Sequence, residues 1–274
     1  MSESARAQSI VAGIDGSKAA IRAALWAVDE AVSRGVPLRL LHAAEREDGA
    51  EHAELAVRQA VTAIRAAGKP VQIETEVVAG PAVGSLIRSS ASAAMVCVGA
   101  VGLRHFQPGR VGSTAAALAV SARCPVGIVR GRDGHRPQPG DKAVVEIDAL
   151  ADPHLLDAAI DEALLRGATL EAVISRRSGP AERGVGLGEA DRRALADLER
   201  RLARWKRRHP QLRVEPVAVH VGLLEYLAGP RGPVGLVIVG AHNRAHVAEL
   251  VGPVGSSVMQ DANCSLLVVN RQHL

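Results

Sequence analysis

The chain has 274 residues, 47% of them hydrophobic and 23% charged, the balance of a globular protein with apolar material for two cores. Aromatic residues make up only 1%, so the core must be Ala, Val and Leu, and a stacking platform for single-stranded nucleic acid is not expected. The net charge of +4 is evenly spread, with 15 Lys+Arg against 12 Asp+Glu up to His135 and 18 against 17 beyond it; neither half is a polybasic module, and no nucleic-acid partner is expected.

Three cysteines, Cys97, Cys124 and Cys264, are too few and too far apart for a disulfide framework or a zinc site, and read as buried free thiols of a reducing compartment. Residues Met1–Gln8 contain no apolar core, and no apolar run approaches the roughly 18–20 residues of a membrane span. A cytoplasmic protein without a membrane span is expected.

In chain order, Ser9–Ile14 reads as a short buried strand ending at Asp15-Gly16-Ser17. Lys18–Ser33 carries Ile21, Leu25, Val28 and Val32 at helical spacing and stops at Gly35. Pro37–His42 is a second strand, Ala50–Ala67 a helix closed by Gly68, Val71–Val78 a third strand and Ala82–Ser92 a third helix. Ala94–Val98 is a fourth strand, Ala115–Ala122 a short helix and Val126–Val129 a last strand after Cys124-Pro125. Strands alternating with helices predict a mostly parallel sheet covered on both faces.

Gly131–Gly140, rich in Gly and Pro, reads as a linker between domains at residues 1–134 and 141–274. Beyond it the order repeats. Ala143–Ile147 with Asp148 echoes Val11–Ile14 with Asp15, Arg166-Gly167 echoes Arg34-Gly35, and Val237–Ala241 echoes Cys97–Val101. The step from Gly252 to Cys264 equals that from Gly112 to Cys124. The chain is a duplication: two tandem, doubly wound α/β units, each with a mostly parallel five-stranded sheet and helices on both faces.

The most informative stretch is Val96–Thr114, where an apolar strand runs into Gly99, Gly102 and then Gly112-Ser113-Thr114 at the start of a helix. Free backbone N–H groups and a helix N-terminus at the mouth of a sheet suit an anion such as phosphate. Singly, Gly99 and Gly102 could shape a turn, and Asp15 or Ser17 could cap a helix. Together, Gly99-x-x-Gly102, nine residues and Gly112-Ser113 resemble the ATP-binding signature of the universal stress protein family. Asp15 closing the first strand and Cys-Pro before the last strand also fit it. The signature is neither a Walker A loop nor a dinucleotide fingerprint.

The resemblance implies a tandem member with an adenine nucleotide α-hydrolase-like fold and ATP as ligand, with or without Mg²⁺, other adenine nucleotides being alternatives. It implies that Asp15 accepts from the adenine amino group and that the Ala43 backbone lies along the base. Gly13 would leave room for the base. Gly99, Gly102, Gly112, Ser113 and Thr114 would cradle the phosphates, and Arg104 would reach the terminal one. The resemblance further implies that Val126–Val129 and Ser265–Val269 pair between domains or chains, and with them a homodimer.

The second half departs from the pattern. Its counterpart is Gly240, Asn243 and Gly252, preceded by Asp148, with a loop one residue shorter; Pro253 and Val254 replace Ser113 and Thr114, and Glu146 replaces Gly13. Weak binding or none is expected there, unless Gly255 and Ser256 form a shifted cradle. Asp191–Arg208, dense in Arg, has Leu195, Leu198 and Leu202 at helical spacing and reads as a helix with a solvated basic face. His242 and His246 lack flanking ligands at zinc spacing. No nucleophile–base set or metal-anchoring acid stands out, so the expected role is that of a nucleotide-binding stress-response regulator or sensor. A slow ATP-hydrolysing enzyme and an interaction scaffold are the alternatives.

Overall fold

Alternate residues of the first strand belong to two different cores. Ile10 and Ala12 pack on one side of the sheet and Val11 on the other, all fully buried, so the strand must be central and covered on both faces. The structure, a computed structural model, describes residues 8–44, 50–103, 110–131, 141–147, 153–175, 188–230 and 232–270.

The first half runs β1 (Ser9–Gly13), α1 (Lys18–Arg34), β2 (Leu38–Ala44), α2 (Ala50–Ala66), β3 (Ile73–Ala79), α3 (Ala82–Ser89), β4 (Ala93–Gly99), α4 (Ser113–Ser121) and β5 (Val126–Val129). The second runs β6 (Lys142–Ile147), α5 (Pro153–Arg166), β7 (Thr169–Ser175), α6 (Glu189–Arg208), β8 (Val214–Val219), α7 (Leu223–Ala228), β9 (Val234–Gly240), α8 (Arg244–Val251), α9 (Pro253–Asp261) and β10 (Ser265–Val269). Helix α1 starts where Ser17 Oγ accepts from the Ala20 N–H and ends at Gly35, whose φ of 63° only glycine adopts cheaply.

Each half supplies five strands, but the two sheets expected from the sequence are one. The order is β3-β2-β1-β4-β5-β10-β9-β6-β7-β8, parallel throughout except where β5 meets β10 antiparallel at the centre. The pairing expected of the last strands is therefore made inside a single chain. Because β5 lies between β4 and β10, and β10 between β5 and β9, neither keeps a free edge. These two strands therefore offer no open edge to a second chain.

A buried ionic cluster also joins the halves. Glu30 and Arg34 of α1 meet Glu162 and Arg166 of α5: Arg166 lies 2.5 Å from Glu30 and 2.7 Å from Glu162, and Arg34 3.1 Å from Glu30. Burial, reinforced by the Glu30 charge, pushes the Glu162 carboxyl up to about 8. The three cysteines are free and buried, and burial pushes Cys124 and Cys264 up to about 12, leaving them inert as nucleophiles. Helix α6 buries Leu198 and Leu202 and turns Arg193, Arg200 and Arg207 outward. Among the described residues no helix is long and apolar enough to cross a membrane.

Candidate functional site

In the first half the chain winds from β1 through β2 to β3 on one side, then returns to place β4 on the other side of β1. The crossovers diverge at β1 and β4, opening a crevice beyond their C-terminal ends, where open α/β sheets bind ligands. Gly13 ends β1, Gly99 ends β4, and Ala43 lies near the end of β2, paired with Val78. The expected residues are thus brought together at one sheet end.

The glycines there have distinct physical reasons. A Cβ on Gly99 would lie 2.7–2.9 Å from the backbone and Cβ of Ala19, so this glycine lets β4 touch the first turn of α1. One on Gly102 would lie 2.7 Å from Asp15 Oδ2. At Gly13 the space is taken by Val98 and Leu86, 3.0 and 3.2 Å from a notional Cβ, so packing explains this glycine, and the room imagined for a base is filled.

Asp15 ties the crevice together. Its Oδ1 accepts from the Ser17 N–H (2.9 Å) and its Oδ2 from the Leu103 N–H (3.1 Å), joining the turn after β1 to the glycine loop after β4. Across the loop, the Gly112 N–H donates to the Ala100 carbonyl at 2.7 Å, and Gly112 packs against Gly102. Helix α4 begins at once with Ser113 exposed and Thr114 half-buried, and no side chain caps it. Its first-turn N–H groups have no side-chain acceptor, and there the helix dipole favours an anion. Arg104, expected at the phosphate end, lies in 104–109, outside the described residues.

Sequence reasoning missed His42 and His52. His42, buried at the end of β2, stands edge-on to His52 of α2 with ring centroids 6.2 Å apart. Burial, then the neighbouring imidazole, lowers its pKa. Two histidines bracketing the strand end by sequence, at the end of β2 and the start of α2, were the available signal. Among the described residues no group of three or more His, Cys, Asp or Glu could hold a metal ion by itself.

The equivalent crevice of the second half, between β6 and β9, is closed by helix. The stretch after β9 folds into α8, capped by the Asn243 side chain, which accepts from the His246 N–H at 3.1 Å. Asn243 has φ −97°, so it does not reproduce a left-handed glycine. Val247, Leu250 and Val251 of α8 are buried, and α8 packs on α4 of the first half. His246 Nε2 reaches across to Glu146 of β6 at 2.7 Å, the residue standing where Gly13 stands in the first half. Gly240 ends β9, with the His242 ring 2.5 Å from its notional Cβ and Leu155 in ordinary contact at 3.6 Å. Gly252 joins α8 to α9, with Pro253 at the first helical position.

The shifted cradle at Gly255 and Ser256 is corrected by this packing. A Cβ on Gly255 would lie 2.4 Å from the Glu249 carbonyl oxygen, so no ligand fits there. Ser256 is fully buried; its hydroxyl donates to the Val251 carbonyl and accepts from the Val111 N–H of the first half at 3.2 Å. The second half thus supplies a backbone anchor one residue before Gly112. Asp148 lies in 148–152, outside the described residues.

A duplicated α/β sheet with a crevice at its topological switch point and an uncapped helix beside it defines an open, doubly wound fold of the universal stress type. Residues 7–51 and 44–130 match the universal stress protein family. A universal stress protein of Mycobacterium tuberculosis is 50% identical over 289 residues, covering all of both chains, and another is 40% identical over 96% of this chain and 97% of its own. A solved universal stress protein from Archaeoglobus fulgidus shares the fold, with a TM-score of 0.71 at 17% identity over 96% of each chain. The chain belongs to the universal stress protein family.

Proposed function

We propose that the first half binds one adenine nucleotide, ATP foremost, in the crevice between β1 and β4, and that occupancy rather than catalysis makes this protein a stress-response regulator. The observation that carries this reading is the pairing of an uncapped α4 N-terminus with a glycine loop fixed from both sides, by Asp15 and by Ala100. Phosphates would take the N–H groups and hydroxyls of Ser113 and Thr114, with Gly112 leaving no side chain in the way. The base would lie toward Ala43, and Asp15, whose oxygens each keep a further lone pair, would accept from the adenine amino group. Mg²⁺ would arrive with the triphosphate. Binding would alter the surface seen by protein partners in the cytoplasm, to the extent that the nucleotide prefers one form of the chain over another.

The test is to denature the purified full chain, identify any released nucleotide by mass spectrometry, and titrate the emptied protein with ATP. Adenine nucleotide is expected among the released molecules, and saturable ATP binding afterwards. A protein that is isolated empty and also ignores added ATP refutes the reading.

A further inference from the structure

Where the halves meet, on the α1 side of the sheet, a cavity of about 630 Å³ opens between α1, the end of β5 and the starts of β9 and β10. It shares no residue with the β1–β4 crevice and owes nothing to the nucleotide reading. One wall is apolar, formed by Leu25, Trp26, Val129 and Pro233. The Trp26 ring is firmly seated: it covers Gly127, where a Cβ would come within 2.9 Å, and the Arg166 guanidinium stacks on it 4.3 Å from the ring centroid.

Most charged groups around this cavity have a partner: Arg166 is held by Glu30 and Glu162, Asp29 by Lys69, and Arg22 and Asp141 each have a partner of their own. Arg130, just past the end of β5, has no carboxylate partner among the described residues. Its Nε is buried without a hydrogen-bond acceptor, and burial lowers its pKa from the usual arginine value. A desolvated guanidinium without a counter-charge is costly, and an incoming anion would offset that cost.

We propose that this interdomain cavity binds a small organic anion, a carboxylate or phosphate monoester on a flat apolar body. The charged head would meet Arg130, and the body would lie along Trp26 and the Leu25–Val129–Pro233 wall. The fork of the guanidinium suits a bidentate oxyanion, and the indole edge suits a ring.

Trp26 and Trp205 are the two tryptophans of the chain, so W205F leaves Trp26 as the sole indole reporter inside the cavity. Full-length W205F protein would be titrated with phenyl phosphate and, separately, benzoate, which tell a phosphate head from a carboxylate, and with benzyl alcohol as the neutral control. A saturable change in Trp26 fluorescence is expected with at least one anion, and binding roughly tenfold weaker or worse for the alcohol and after adding R130M. The R130M change should leave the unfolding midpoint of the empty protein unchanged or higher, because it removes an unpaired buried cation. Should R130M not fold, R130K, which keeps the charge and loses the fork, must weaken binding of the responding anion. No saturable response to either anion, or a response unaltered by the Arg130 substitutions, overturns the proposal.

Discussion

The segment from Gly99 to Thr114 and its repeat from Gly240 to Val254 began as the same sequence element and now do opposite jobs. In the first half the chain is fixed at Leu103 by Asp15 and at Gly112 by Ala100, and runs straight into an uncapped helix. In the second, Asn243 caps a new helix, α8, whose His246 reaches Glu146 across the crevice and whose apolar side packs on α4. With Asn243 in place of the second glycine and its side chain as a cap, the corresponding stretch of the second half is a packing helix. The retired half still contributes, since Ser256 holds Val111 beside the first loop.

The comparison can be broken at the two strand-end glycines, where the largest difference is expected. G99A should cost about 2–3 kcal/mol, because its Cβ would strike the Ala19 backbone, which cannot turn aside. G240A should cost less than about 1 kcal/mol, because the close atoms belong to the rotatable His242 ring. Urea unfolding of both variants measures the contrast, and equal midpoints would contradict it.

Copying the second half into the first gives a sharper test of binding. S113P with T114V removes one N–H donor and two hydroxyls from the first turn of α4 and should weaken ATP binding by roughly tenfold or more. Stability should stay within about 0.5 kcal/mol, since proline is accommodated at the first position of a helix. Calorimetric titration and thermal unfolding read the two effects separately.

S256A probes the link between halves. It should cost about 1 kcal/mol and weaken nucleotide binding severalfold in the other half, by freeing the Val111 N–H that precedes the cradle. The smallest effect concerns pH. Hydrogen bonding to Glu146, with Glu249 adding to it, raises the His246 pKa above 6.5. The folded state therefore holds its proton more tightly, and this contribution is complete below pH 6.5 and fades as pH rises through the raised value. The stability difference between the parent and H246Q should shrink over that rise by up to about 1 kcal/mol, read from unfolding midpoints across pH.

Much of this architecture was legible because its signals are local. Val126–Val129 and Ser265–Val269 match the observed strands to the residue, fenced by Cys-Pro on one side and Asn-Cys on the other. The duplication followed from spacing, whereas Asp15, expected at the base end of the site, meets the glycine loop at Leu103. Helix α8 escaped notice because aligning it to the first loop carried over the expectation of a loop, although Val247, Leu250 and Val251 have helical spacing. The union of the sheets was left open between domains and chains, because strand pairing across more than a hundred residues leaves no mark in either strand. The buried cluster did leave one: Glu-x-x-x-Arg-Gly recurs at Glu30–Gly35 and Glu162–Gly167, and its first half went unread beside the matched Arg-Gly.

The central claim is that one chain carries one competent nucleotide crevice, in its first half. Calorimetric titration of the emptied full-length protein with ATP tests it most directly. The expected result is one nucleotide per chain, with binding weakened by S113P/T114V and untouched by G240A. Two nucleotides per chain, or one that survives S113P/T114V unchanged, would contradict the account.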